Sequence, residues 1–304
     1  MHGVKPDIDS EAYVRAIQMV HELTNFKHLV DEVTPESLLY HSHRPGGSIV
    51  VAVRNDGVPE GYRYGIYGFR LAQSLRLRFA DAQIAFRRAL VSEPNDDHSN
   101  EIHVFAIDPE TGGIIRYISL LGSPDPEPLS PLNPRRTRFP CEVAHGVNLF
   151  DYALFPADLD TSEIWEMKRL IQRRGEKTSS AQSRLRLTLE LMLGFYTTLS
   201  RIQPEVRMLI GDGEEGIAIR RMLRSLRDVT VLEGTTPSLP ADDLMFRLYT
   251  TRDVVKPFVA MAPRGEELHQ LTETLADSLD NPNPLDALKG LVESVDGRLR
   301  RIRI

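Results

Sequence analysis

At 304 residues, with 41% hydrophobic and 26% charged side chains, the chain has the size and balance of a folded globular protein of one large or two ordinary domains. A formal net charge of −6 argues against a protein that coats nucleic acid, and a single cysteine, Cys141, excludes an internal disulfide and points to a reducing compartment. Residues 1–7 lack the apolar core of a secretory leader, and no apolar run approaches the roughly 20 residues of a membrane helix, so a cytoplasmic protein with no membrane span and no nucleic-acid partner is expected.

Asp9 and Ser10 read as a cap before a helix over 11–23, with Tyr13, Ile17 and Val20 as its apolar stripe. A short helical stretch over 28–33 ends near Pro35, and 48–54 reads as a strand. His41 and His43 share a strand face, and Asp96, Asp97, His98 and His103 cluster in sequence, yet neither group has a spacing that fixes an ion, so no metal is expected. Residues 70–91 read as a helix, with Leu71, Leu75, Phe79 and Ala82 on one side and arginines on the other. Strands over 102–108 and 114–121 flank Pro109-Glu110-Thr111-Gly112-Gly113 and form a hairpin. Prolines 124, 126, 128, 131, 134 and 140 then forbid a helix or central strand, which leaves a long loop, either a lid over a substrate or an ordered surface connection.

Residues 164–170, Ile-Trp-Glu-Met-Lys-Arg-Leu, read as a strand, yet they carry three charges and the chain's only tryptophan. A polar turn over 173–180 leads to a helix marked by Leu185, Leu189, Tyr196 and Leu199, then to a strand over 206–210. Gly211-Asp212-Gly213 opens a second helix carrying Ile219, Met222, Leu223 and Leu226, and 229–232 is a strand, so the order is β-α-β-α-β. After a linker over 235–243 come a strand over 244–249 and two amphipathic helices. Leu268, Leu271, Leu275 and Leu279 mark the first, and Leu285, Leu288, Val292, Val295 and Leu299 the second. Each stripe must be buried on the core or on another subunit, which leaves a homodimer through these helices open.

A hairpin feeding a charged strand and then a helix resembles the GNAT acyltransferase architecture, in particular the branch of acyl-homoserine-lactone synthases and long-chain N-acyl amino acid synthases. Trp165, Glu166 and Arg169 stand in the order and spacing of that branch's Trp-Glu-x-Ser-Arg-Phe strand, with Lys168 in place of the Ser and Leu170 in place of the Phe. Residues 93–99 with His103 are similar to its acidic segment, Arg116 to the Arg of its second hairpin strand, and 75–79 with Phe86 to its upstream helix of Arg and aromatic residues. The resemblance spans 62–234. It implies an α/β (α+β) fold with a GNAT-like mixed central sheet flanked by helices. The acyltransferase core would be 61–234, between an N-terminal extension over 1–60 and a C-terminal extension over 235–304. It also implies transfer of a fatty acyl group from the phosphopantetheine thioester of acyl carrier protein or acyl-CoA, a co-substrate and not a tightly bound cofactor, to a small-molecule amine. In that fold the strand of Trp165 and Glu166 splays from the next, and its backbone pairs with the pantetheine amides.

Such a reaction needs a base for the amine proton and a partner for the acceptor's carboxylate. Glu166 is the expected base, and Arg169 or Arg116 the expected carboxylate partner. Trp165, Asp97, Arg76, Phe79 and Glu142 complete the substrate-binding set, and His145 is within reach. Period-2 geometry puts Glu166 and Lys168 on one face and Trp165, Met167 and Arg169 on the other, unless a twist or bulge intervenes. Gln172-Arg173-Arg174-Gly175 is similar to a coenzyme-A phosphate loop, but Lys177 stands where a small residue belongs, which favours a carrier protein docking on Arg173, Arg174 and Lys177 with Arg184 and Arg186. Other readings stay open. Glu166 and Lys168 can form a solvated face, Arg169 and Arg116 can pair with Asp97 or Glu142, and the basic cluster can be plain surface. For the whole chain, a catalytically inactive GNAT-like module binding an acyl or nucleotide ligand, a lactone synthase using S-adenosylmethionine, and an assembly protein remain.

Overall fold

A computed structural model describes residues 8–94, 100–173, 180–214, 226–237, 239–250, 255–281 and 299–303. Its frame is a mixed sheet of β1 (Leu38–His43), β2 (Ile49–Arg54), β3 (Glu101–Ile107), β4 (Ile114–Gly122), β5 (Ile164–Gln172), β6 (Met208–Glu214), β7 (Arg227–Glu233), β8 (Val255–Met261) and β9 (Leu299–Arg303). Among the described residues the spatial order is β1-β2-β3-β4-β5-β6-β8-β7-β9. The first five strands are antiparallel neighbours, whereas β5 and β6 run parallel because the helix α6 (Ala181–Leu199) returns the chain between them. The sheet draws strands from all three expected segments: β1 and β2 from the first, β8 and β9 from the last.

Helices cover both faces, as a mixed sheet with apolar strands requires. On one face α6 and α8 (Gly265–Asp280) bring Leu189, Tyr196, Leu271 and Leu275 onto Val104, Ile118, Leu120, Trp165 and Leu209. The four leucines of the α8 stripe are therefore spent within the chain. On the other face α3 (Glu60–Arg76) sets Ile66 and Phe69 on Val51, Phe105 and Tyr117. Beside it, α5 (Pro140–His145) and its flanks set Phe139, Cys141 and Phe150 on Ile164, Met208 and Ile210. None of the described helices is long and apolar enough to cross a membrane.

The helices α1 (Ile8–Glu22), α2 (Leu29–Glu32) and α3 correct the sequence reading in detail. α1 begins earlier than expected, at Ile8, so Asp9 and Ser10 lie within its first turn and not before it. The helix read over 70–91 instead begins at Glu60 and breaks after Arg76. There Arg78 adopts φ 59°, Phe79 N–H donates to Ser74 O at 2.8 Å, and Arg78 N–H donates to Leu75 O at 3.1 Å, a Schellman stop with arginine where glycine is usual. Asp81 then caps α4 (Ala82–Arg87) by accepting from Gln83 and Ile84 N–H.

The strand read over 244–249 is wrong. Asp243 accepts from Met245 N–H at 2.7 Å and starts the short helix α7 (Phe246–Thr250). β1 and β8 went unread, and β8 inserts between β6 and β7. Leu299 is not in a helix but opens β9, opposite Val229. Gly211-Asp212-Gly213 does not open a helix but continues β6 as far as Glu214; residues 215–225 of that expected helix and the helix expected over 285–298 lie outside the described residues, and so does any subunit contact through the second. The proline-rich stretch is loop, as read, and it is an ordered connection: Thr161 N–H donates to Leu129 O, Leu129 N–H to Thr161 Oγ1, and Arg136 is buried within it.

Candidate active site

β5 pairs with β6 only from Ile164↔Met208 to Met167↔Gly211. Beyond that point β5 stays with β4 as far as Arg116↔Gln172, and β6 stays with β8 as far as Glu214↔Val255. Neighbouring strands that keep different partners must diverge, so β5 and β6 form a V with Met167 and Gly211 at its apex. The apex needs glycine, because a Cβ on Gly211 would lie 2.7 Å from the carbonyl oxygen of Met167.

One residue further along, β5 carries a bulge. Lys168 pairs with Ser119 and Ile171 with Tyr117, so β5 has one residue more than β4 across the interval. Arg169 takes up the excess at φ 58°, a left-handed conformation that costs an ordinary side chain about 1–2 kcal/mol. Strict alternation would send Arg169 to the face of Trp165. The bulge turns it instead to the side of Glu166 and Lys168, where it pairs with Glu93.

Two buried networks meet there. In the first, Arg70 projects from α3, donates to Glu93 and Glu101, and lies over the ring of Tyr67, whose hydroxyl donates to Glu101 at 2.9 Å. Burial alone would raise the Glu93 carboxyl, but Arg169, Arg70 and Lys168 more than reverse this and hold it at about 2. His103 joins Tyr117 at 2.7 Å to Asn55 at 3.0 Å.

In the second network Glu166, 4% exposed, accepts from the N–H of Cys141 at 3.3 Å. Burial lifts its carboxyl most. Lys168 opposes that, Asp212 adds to it, and the Cys141 N–H and Arg169 pull it back, leaving it at about 7. Burial likewise lowers the Lys168 ammonium, with Glu166 acting against it. Asp212, just past the apex on β6, stays low despite burial because His145 Nε2 lies 3.4 Å away and the Tyr249 hydroxyl donates to it at 2.7 Å. His145 is itself fixed by Thr235 at 2.8 Å through Nδ1. A carboxyl poised near neutrality beside a strand gap is the arrangement a general base requires.

The structure brings Glu166, Lys168, Arg169 and His145 together, and separates them from Arg116, Trp165, Arg76, Phe79 and Glu142. Arg116 neighbours Tyr117 on β4 and so lies on the opposite face. Trp165 is in the core beneath α6. Arg76 pairs with Glu22 at the far end of α3, and Phe79 lies in the break after it. Glu142 is fully occupied: Arg136 donates to both its oxygens at 2.7 Å, and the N–H groups of Phe139 and Leu149 donate as well. Arg173 ends the β5 segment, whereas Asp97, Arg174 and Lys177 lie outside the described residues. Arg70, Glu93, Asp212 and Tyr249 were not singled out as site residues. Arg70 sits between Phe69 and Leu71 near the buried side of its helix, which is a readable signal, while Tyr249 was hidden by the mistaken strand. Among the described residues no group of three or more His, Cys, Asp or Glu side chains could hold a metal ion. A cleft of about 590 Å³ between the β1–β2 turn and the start of α6 has none of the network residues in its lining.

No protein-family model and no curated protein matches the sequence. Among solved structures, a CoA-dependent acyl-homoserine lactone synthase, BjaI, with SAM and isopentyl-CoA, aligns with a TM-score of 0.40 at 16% identity, over 81% of this chain and 99% of that one. The same synthase with MTA gives 0.39 at 16% identity, over 79% and 96%. A point mutant of a cAMP-binding acyltransferase from Mycobacterium smegmatis gives 0.26 at 8% identity, over 93% and 61%.

Proposed function

We propose that the chain is an N-acyltransferase that moves a fatty acyl group from the thioester of acyl carrier protein or coenzyme A to the amine of an amino-acid-like acceptor. The observation that carries this reading is the β5–β6 V with Glu166, held at about 7, on the strand beside its apex. Past Met167 the edge of β5 toward β6 has no strand partner among the described residues, so an extended pantetheine arm can add to it through its amides. Glu166 then takes a proton from the acceptor's ammonium. The amine attacks the thioester carbonyl, the C–N bond forms, and the C–S bond breaks as the electron pair leaves on sulfur, which ends as free thiol after protonation.

The test is thiol release from a panel of acyl-CoA and acyl carrier protein donors, with pooled amino acids and S-adenosylmethionine as acceptors, and product mass as readout. Acceptor-dependent release supports transfer, and a lactone product would identify the S-adenosylmethionine-dependent variant of the reaction. No release from folded protein with any donor removes the reading for these substrates.

One observation favours a second reading. Lys168, buried beside Glu166, stabilises the ionised carboxylate, and a lasting ion pair would leave a module that binds an acyl or nucleotide ligand without turning it over. Glu166→Gln separates the two, because an enzyme loses turnover while a binding module keeps its ligand.

A further inference from the structure

A cleft of about 450 Å³ lies where α1, the break after α3, the start of α4 and α7 meet, and Arg15, Arg76, Arg78 and Arg247 line it. α7 is docked there by the N–H of Asp81, which donates to Leu244 O at 2.9 Å. Glu11 and Asp81 are the carboxylates of that lining, so cations outnumber anions four to two in a chain whose net charge is −6. Asp81 is already occupied: one oxygen accepts from Gln83 and Ile84 N–H, and the other pairs with Arg247 at 2.6 Å. Arg76 reaches Glu22 at 3.4 Å. Among the described residues Arg15 and Arg78 have no carboxylate partner, and Glu11 has no cation. Arg78 adds a second, independent observation. It holds φ 59°, which glycine adopts freely and a β-carbon resists, so the helix stop would be better served by glycine than by the guanidinium the chain keeps at the cleft. Backbone outliers of this kind collect at ligand clamps. Arg15 and Arg247 belong to the two extensions, outside 62–234, so the resemblance does not imply this cleft.

We infer that this cleft binds a small organic phosphate, its phosphate group held by Arg15 and Arg78 and its organic part set against Val14 and Leu75, which also line the cleft. The chemistry of the cations selects the anion. All four are arginines, whose planar forks match the oxygens of phosphate or carboxylate two at a time. A carboxylate brings one negative charge, whereas the excess of two cations over anions in the lining suits a dianion, and that favours phosphate. The inference goes beyond the acyl-transfer reading and does not rest on it: Glu166, Lys168, Arg169 and Asp212 are absent from the lining.

The experiment is a calorimetric titration of the full chain at low ionic strength and pH about 8, where the phosphate group is a dianion. The probes are inorganic phosphate, AMP and glucose 6-phosphate. Adenosine, glucose and potassium chloride at matched ionic strength are the controls, and wild type, Arg78→Gly and Arg15→Gln are the proteins. At least one of the two organic phosphates is expected to bind wild type about tenfold or more tightly than its unphosphorylated parent, and each variant to weaken that binding by about tenfold or more, the value of one charge-assisted contact. Ligand-free Arg78→Gly should melt no lower than wild type, because glycine is at ease in the left-handed backbone, so its lost affinity reports the guanidinium and not the fold. The wild-type comparison of each phosphate with its parent needs no variant to fold. The inference is overturned if no phosphate probe binds, if the parents bind as tightly, if chloride at matched ionic strength reproduces the heats, or if Arg78→Gly keeps the wild-type affinity. Thiol release is read separately: phosphate binding without it sustains the cleft and removes acyl transfer, and thiol release from a protein that binds none of the phosphates does the reverse.

Discussion

Two buried glutamates lie on either side of one short segment and behave in opposite ways. Glu142, at the start of α5, receives a bidentate Arg136 and two backbone N–H groups. Glu166, on β5, receives one backbone N–H at 3.3 Å, and burial lifts it to about 7. Sequence position does not separate them, since each sits between apolar neighbours, Cys141 and Val143 in one case and Trp165 and Met167 in the other. What differs is saturation. A carboxylate with every lone pair answered is a structural rivet, here pinning the proline-rich loop to α5. One left partly unanswered at a strand gap stays free to exchange a proton.

The comparison breaks most visibly through Glu166→Gln. On the acyl-transfer reading, thiol release should fall by about 10²–10⁴-fold, the range for losing a general base, while the melting temperature holds. A variant that unfolds along with losing activity would show Glu166 to be a rivet too. Glu142→Gln should do the contrary. It strands Arg136 in the interior, and breaking a buried pair costs about 3–5 kcal/mol, readable in urea unfolding. Activity per folded molecule should stay near wild type.

A smaller effect comes from pH. Glu166 must be ionised to act, so kcat/KM should fall about tenfold per unit below pH about 7. Stability moves the other way. A carboxyl raised in the folded state contributes stability that is fully present below about 4.5 and lost as pH rises through about 7, here up to about 3 kcal/mol. Glu93, depressed to about 2, contributes above about 4.5 and loses its share only as pH falls towards about 2, so it is silent in the window where Glu166 titrates. Urea unfolding at about pH 5 and about pH 8 should therefore show wild type weaker at the higher pH and Glu166→Gln nearly flat. Equal slopes for both proteins would leave the raised carboxyl without support.

Much of this was legible in the residues, and the failures have physical reasons. The charged strand, the hairpin before it and the helix after it can be read because charge, turn glycines and apolar period are local signals. Putting Arg169 on the side of Glu166 depends on the bulge, which is decided by pairing with β4 and not by residues 164–172 themselves. Arg116 was chosen by the resemblance of its hairpin strand and Glu142 by its place just before the charged strand, but strand parity carries the first away and Arg136 consumes the second. Asp212 and Tyr249 enter the site through β6 and α7, across long stretches of sequence, and Tyr249 depended on seeing that Asp243 caps a helix.

The smallest predicted effect tests the V itself. Gly211 is the last β6 residue paired with β5, and a methyl there would press on the Met167 carbonyl at 2.7 Å and the Phe258 ring at 3.1 Å. The backbone oxygen cannot move without moving β5, so Gly211→Ala should cost about 1–3 kcal/mol, as overpacking in a core does. The carboxylates are untouched by this change. If the V is the acyl-donor slot, KM for the thioester should rise while the pH at which Glu166 titrates stays in place. If KM for the thioester is unchanged and only stability falls, the divergence of β5 and β6 is a packing feature, and the open strand edge is not where pantetheine binds.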